Sequence, residues 1–261
     1  MASKPQVAAA PVWGRLKLLS FNIQVGLTTS SYRHYVTRSW RHVLPSAGQL
    51  QNLDRIARLV ADYDLVGLQE TDAGSLRSAN LNQVRYLAER GDFPYWHAQV
   101  NRDLGQLGQH SLGLLSRLPP LRISEHKLPG LIPGRGVLMA RFGTEDHPLL
   151  LVVTHLSLSR RARAQQLHHI GELIQGERHV VIMGDTNCEP EALMQGSALR
   201  DAGLRLASRA HETYPSWRPR RNIDHILVSE SIEIRSAEVI DEPISDHLPI
   251  AVEIDIQKTA D

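Results

Sequence analysis

The chain has 261 residues, 42% of them hydrophobic, which is enough to bury a large core within one domain. Its 29 Lys and Arg against 28 Asp and Glu leave a formal charge of +1, so any preference for a polyanion must come from local patches and not from bulk charge. Nowhere do 18 apolar residues run together, which excludes a membrane-spanning helix, and the single cysteine, Cys188, excludes an internal disulfide.

Met1 to Gly14, rich in Ala and Pro, reads as a flexible tail without the long apolar stretch of a signal peptide. Residues 15–261 read as one domain, and a cytoplasmic location is expected. Leu16 to Phe21 is a strand-like run that ends at Asn22. The next segment, Val25 to Leu53, has no acidic residue and clusters Tyr32, Arg33, His34, Tyr35, Arg38, Trp40, Arg41 and His42. Leu50, Leu53, Ile56, Ala57 and Val60 then follow helical spacing. Asp64 to Gln69 is a second strand-like run, ending at Glu70, and Leu149 to Thr154 is a third, ending at His155. Arg160, Arg161 and Arg163 follow, and Leu167, Ile170 and Ile174 take up helical spacing again. His179 to Gly184 reads as a buried strand, with Gly184 giving a tight exit into Asp185-Thr-Asn187. If the chain stays extended there, Asp185 and Asn187 share a side; a turn in which both bond their own backbone is the alternative. Trp217, Arg218, Arg220 and Arg221 precede a last pair of runs, Asn222 to Val228 carrying Asp224, and Ser245-Asp246-His247 leading into Ile250.

Each half of the chain thus reads strand, helix, strand, with a polar residue at each strand end, where α/β proteins commonly place ligands. Asn, Glu, His, Asp-x-Asn and Asp-His together suit cleavage of a phosphate ester. That reaction needs a hard cation on a phosphoryl oxygen, a group to direct water, and donors for the oxygens of the transition state. Asp224 is the expected partner of His247, fixing its tautomer and stabilising the imidazolium, which leaves Asp246 for a metal or for charge balance. Cys188 reads as a structural thiol beside the site.

Asn22, Gln69-Glu70, Thr154-His155, Gly-Asp185-x-Asn187, Ile-Asp224 and Ser-Asp246-His247 occur in the order seen in the endonuclease/exonuclease/phosphatase (deoxyribonuclease I-like) superfamily, and the resemblance spans about Leu16 to Ile256. It implies a four-layer α/β sandwich, two mixed β-sheets packed face to face with helices outside. It also implies Mg²⁺ or Mn²⁺ as cofactor, with Glu70 the principal ligand and Asn22 and Asp246 near the ion. Asp185 would orient or deprotonate water, Asn187 and His155 would bind phosphate, and His247, paired with Asp224, would be the acid or a phosphate ligand. Asn22-Ile-Gln24 differs from the Asn-x-Asp of AP endonucleases, which also lack the counterpart of His155, so the match is closer to the deoxyribonuclease I and sphingomyelinase side. Gln109 to Ser116 resembles the family's Gly-x-Ala-x-Leu-Ser strand without the usual tyrosine or acid before it; Gln109 or His110 stands in that place.

For the substrate, the basic and aromatic loop of Tyr32, Arg33, Tyr35, Arg38, Trp40 and Arg41, together with Arg160 and Arg218, is expected to surround the site mouth and to suit DNA or RNA. Anionic lipid head groups and a small phosphorylated metabolite are the other substrate classes this composition allows. A non-enzymatic binding module on the same fold is the alternative of a different kind.

Overall fold

A computed structural model describes residues 14–26, 47–75, 78, 80–103, 109–130, 134–208 and 212–256. Tyr32, Arg33, His34, Tyr35, Arg38, Trp40, Arg41 and His42 lie outside the described residues. Strand β1 (Arg15–Asn22) is parallel to β2 (Leu65–Asp72), with helix α1 (Ala47–Val60) between them in the chain. Strand β7 (Pro148–His155) is likewise parallel to β8 (His179–Asp185), with α3 (Arg160–Leu173) between them. The intervening elements are α2 (Gln83–Arg90), β3 (Tyr95–Asp103), β4 (Gln109–Ser116), β5 (Arg122–Lys127) and β6 (Gly136–Gly143). After β8 come α4 (Pro190–Met194), α5 (Ala198–Asp201), β9 (Leu204–Leu206), β10 (Asp224–Ser229), β11 (Ile232–Val239) and β12 (Ile250–Ile256).

Among the described residues these strands form two six-stranded sheets, ordered β11-β12-β1-β2-β4-β3 and β5-β6-β7-β8-β10-β9. The orders correspond position by position. In each sheet a parallel central pair is flanked by antiparallel neighbours, β12 and β4 in one and β6 and β10 in the other. The two strand-helix-strand halves expected from the sequence are therefore equivalent halves of a two-sheet sandwich.

Period-two alternation makes the layers. Leu18 on β1, Leu149, Leu151 and Val153 on β7, and Val181 and Met183 on β8 all pack in one core between the sheets. The intervening Leu19 and Phe21 face α1 and α2 with Leu53, Ile56, Ala57 and Val60, while Leu150, Val152 and Ile182 face α3 with Leu167, Ile170 and Ile174. The four-layer order is helix, sheet, sheet, helix. Leu50 departs from the helical reading: it is 50% exposed, on the water side of α1 near its first turn, so the apolar stripe begins at Leu53.

Two local expectations change. Gly184 does not form a turn after β8; it lies inside the strand, opposite Thr154 of β7 and His225 of β10, at φ +154°. A Cβ there would sit 1.9 Å from the Thr154 carbonyl oxygen, so glycine is required by the close approach of two strands. Gly184→Ala should cost about 3 kcal/mol or more in urea unfolding, because a backbone carbonyl cannot rotate aside as a side chain would. The second change concerns β2, which does not end before Glu70 but continues to Asp72 through a register shift between Leu68 and Thr71.

Candidate active site

The same parity that builds the inner core carries its polar continuation. On β1 the series Leu18, Ser20, Asn22 alternates along one face and ends in an amide. Across β7 and β8, Leu151 pairs with Val181, Val153 with Met183 and His155 with Asp185. Asp224 opens β10 directly opposite Asp185, ahead of the inward-facing Ile226 and Val228. Asn22, His155, Asp185 and Asp224 therefore point into the space between the sheets at one end of the sandwich, where the apolar core gives way to polar groups.

Asp185 is the centre of this group. Its Oδ2 accepts from Asn22 Nδ2 at 3.1 Å and lies 3.2 Å from His155 Nε2 and 3.9 Å from His247 Nε2. Oδ1 accepts the backbone N–H of Asn187 at 3.0 Å. Burial alone would raise the Asp185 pKa, but the imidazoles of His155 and His247 and the bonds from His155 and the Asn187 N–H outweigh it and hold the carboxyl well below its ordinary range. An acid so held is ionised at every physiological pH. It is better fitted to orient a water by accepting its hydrogen bond than to keep a proton.

His247 reaches this centre from the loop before β12. Its Nδ1 is 2.8 Å from Asp224 Oδ2, which also accepts from Thr213 Oγ1, and the Tyr214 ring lies 4.8 Å away, tilted by 49°. Burial opposes its charge, but Asp224, Asp185 and Asp246 outweigh burial and push the imidazolium pKa up to about 10. Asp224 thus partners His247, as the sequence suggests. Thr213 and Tyr214 lie outside the sequence expectation; nothing in a Thr-Tyr-Pro loop signals a support for a histidine far downstream.

Glu70 arrives by a different route. Alternation along β2 would send it toward the helices, yet it takes φ +52° within the register shift, and its Oε1 lies 4.0 Å from His155 Nε2. The irregularity re-aims the carboxylate toward the site, a common use of a β-bulge. Asp246 is 8% exposed and accepts from Ser245 Oγ at 3.2 Å. Burial, followed by the charges of Glu70 and Asp185, pushes its pKa up to about 6, against the opposing pull of His247 and the Ser245 bond.

Two expected binders have other attachments. Asn187 is at φ +55°, in the turn alternative, and its Nδ2 donates to the Leu156 carbonyl at 2.9 Å. Asn22 gives Nδ2 to Asp185 and accepts the Gln24 N–H on Oδ1 at 3.2 Å, so it holds Asp185 in place. Cys188 is buried beside the site with its thiol pKa raised, first by burial, as suits a structural thiol.

A cavity of about 710 Å³ opens beside Glu70 and His155. His110 lines it and Gln109 does not; Arg161 lines it, whereas Arg160 and Arg218 are exposed and are not among its lining residues. Arg135, which the sequence reading misses, also lines it. Burial pulls the Arg135 pKa down, opposed by Glu70 and Asp185, so its guanidinium senses both carboxylates. Its Pro-Gly-Arg-Gly setting signals a loop but gives no sign of a site.

The chemistry of the donor set fits a hard divalent cation. Glu70, Asp246 and Asp185 are mutually repelling carboxylates in one partly dry space, and Asp246 is driven toward neutrality by burial and by the other two. Asp185, Asp224 and His247 also bring ligand atoms within 4.8 Å of one another. That second group is already joined internally, since His247 Nδ1 faces Asp224, so the Glu70 and Asp246 side is the better cation position. In metal-free protein, the raised Asp246 pKa means that its contribution to stability is fully present below about pH 3.8 and is lost as pH rises through about 6. Metal-free Asp246→Asn should therefore melt a few degrees above the wild type at pH 7.5, with the difference closing near pH 4 in parallel thermal scans.

The family model described as Endonuclease/Exonuclease/phosphatase family matches residues 19–247. The chain belongs to this family. Its members are phosphoric ester hydrolases that depend on a divalent metal. No curated protein matches the chain in sequence. Among solved structures, an endonuclease/exonuclease/phosphatase from Beutenbergia cavernae has a TM-score of 0.72 at 17% identity, covering 93% of this chain and 72% of its own. A mannosyl-6-phosphatase from Bacteroides thetaiotaomicron has a TM-score of 0.65 at 19% identity, with 92% and 99% covered. D. rerio TDP2 complexed with a single-strand DNA product has a TM-score of 0.65 at 17% identity, also with 92% and 99% covered. These likenesses establish the endonuclease/exonuclease/phosphatase fold. No described helix is long and apolar enough to cross a membrane.

Proposed function

We propose that this protein is a Mg²⁺- or Mn²⁺-dependent phosphodiesterase that hydrolyses nucleic-acid strands. The observation that carries the hydrolytic reading is the convergence of His155, His247 and Asn22 on one buried carboxylate, Asp185, with Glu70 and Asp246 at its side. Glu70 and Asp246 would hold the cation, which would supply Lewis-acid polarisation of the phosphoryl oxygen. Asp185 accepts a hydrogen bond from the attacking water and directs its lone pair at phosphorus. His155 donates to a non-bridging oxygen, with Asn187 shaping the turn that fixes Asp185. His247, charged and held by Asp224, gives its Nε2 proton to the departing oxygen as the P–O bond breaks, while the water proton leaves by way of Asp185.

The nucleic-acid reading draws support from the basic and aromatic composition of the segment with Tyr32, Arg33, Tyr35, Arg38, Trp40 and Arg41 and from the fold likeness to a protein solved with a single-strand DNA product. A compact phosphorylated metabolite is the second reading, favoured by the cavity beside Glu70 and by the fold likeness to a mannosyl-6-phosphatase. Hydrolysis of single-stranded DNA, duplex DNA, RNA and sugar phosphates, each with Mg²⁺ and with Mn²⁺, separates the two. Turnover of sugar phosphates alone would overturn the nucleic-acid reading, and turnover of none would overturn both. In a salt series with Asp185→Asn protein, log affinity for a strand should fall by roughly 0.7 to 0.9 per log unit of salt for each phosphate contacted. Changing Arg33, Arg38 and Arg41 to Ala should flatten that slope; an unchanged slope would remove these arginines from the interface.

A further inference from the structure

The cavity beside Glu70 contains cationic groups that hydrolysis of a single phosphate does not use. Arg135 lies on the side of the carboxylates, close enough to Glu70 and Asp185 for both charges to act on it, and Arg102 and Arg161 come from β3 and the start of α3. Among the described residues, none of these three guanidinium groups has a hydrogen-bond or ion-pair partner in the protein. Arg135 is partly buried, and the charges of Glu70 and Asp185, acting from beyond ion-pair distance, offset only part of its lost hydration, so its N–H donors are left for a ligand.

The backbone is shaped to put Arg135 there. A Cβ on Gly134 would meet Arg102 Cβ at 2.9 Å, and one on Gly136 would meet Asn101 Oδ1 at 1.9 Å. Glycines on both sides thus let the Arg135 segment of one sheet lie directly against the end of β3 in the other. The arginine stands where the two sheets meet, beside the carboxylates. No Phe, Tyr or Trp among the described residues lines the cavity, so they offer no aromatic platform for stacking a base. Its volume is that of a small-ligand site.

We propose that this cavity is a subsite for a second phosphate group of the substrate, bound by Arg135 with Arg102 and Arg161 at the rim, next to the phosphate that is hydrolysed. This rests on the hydrolytic reading above for the position of the scissile phosphate. The second phosphate can be the neighbouring one of a strand or another phosphate on a compact metabolite; the chemistry recognised is the same.

Two substrate pairs differ by that one group: the dinucleotide d(TpT) against d(pTpT), and glucose 6-phosphate against glucose 1,6-bisphosphate. Binding of all four is measured in chelator by calorimetry, and hydrolysis is measured separately with Mg²⁺. In at least one pair the member with the second phosphate should bind about tenfold tighter or more, as charge-assisted bonds to a guanidinium allow. Arg135→Gln should bring that ratio close to one, and Arg135→Lys should restore part of it. The pair that discriminates identifies the source of the phosphate. Equal binding within both pairs by the wild type, or a ratio that survives Arg135→Gln, would overturn the subsite. Discrimination in binding without hydrolysis of any of the four would instead count against the phosphodiesterase reading and leave the subsite standing. Circular dichroism of both variants checks that a lost ratio does not reflect unfolding.

Discussion

Asp185→Asn should lower kcat by roughly 10²-fold or more on the best substrate, with a much smaller change in substrate binding. The side chain keeps its size, but the amide cannot accept on both oxygens from Asn22, His155, Asn187 and a water. His247→Ala should cause a comparable loss by removing the proton donor. Asp224→Asn is the more informative change. Asp224 is the largest of the charges that hold His247 protonated up to about pH 10, so removing it should shift the alkaline limb of the rate profile toward neutral pH. The sign follows from linkage. The stability that charged His247 contributes is fully present below about pH 6.5 and is lost as pH rises through about 10 in the wild type, so the variant should lose the alkaline part of that window. Stopped assays across a series from neutral to alkaline pH, comparing both proteins with saturating Mg²⁺, measure the shift. An unmoved limb would detach His247 from the rate, and a wild-type rate for Asp185→Asn would remove Asp185 from the mechanism.

Removal of divalent metal should abolish turnover while leaving the fold intact. The main cores are apolar and lie between the sheets and under the helices, away from Glu70 and Asp246, so an ion at that end contributes to the reaction and not to packing. Added Mg²⁺ or Mn²⁺ should restore the rate. Glu70→Ala should lower it by roughly 10²-fold at millimolar metal, with partial recovery at higher concentrations as the remaining ligands fill. Activity titrations paired with circular dichroism test this, and full activity in excess chelator would sink the metal mechanism.

Much of the site is legible because period two is a local property of the chain. Once Leu18, Val153 and Met183 are placed inward, Asn22, His155 and Asp185 must face inward too, since each lies an even number of residues further along its strand. Gly184 is recognisable as necessary, but for the wrong reason: the sequence marks a residue without a side chain, and only the position of Thr154 reveals that a neighbouring carbonyl occupies the space. The helical stripe on α1 reads one turn too early, at Leu50, because periodicity does not say where a helix meets its sheet.

The sequence by itself determined the strand-helix-strand order of the two halves and the polar residues that end their strands, because alternation and helical spacing are fixed by backbone geometry within a few residues; the four-layer sandwich was legible only through the resemblance of the ordered motifs to a family. The tertiary structure alone decided how Glu70 turns inward, why Asn187 sits in a turn, and where Thr213, Tyr214 and Arg135 stand. Each of these depends on contacts between segments far apart in the chain: a register shift against β4, the meeting of β7 with the loop after β8, the approach of one sheet to the other at Gly134 and Gly136. Such contacts leave no periodic trace in the residues that make them.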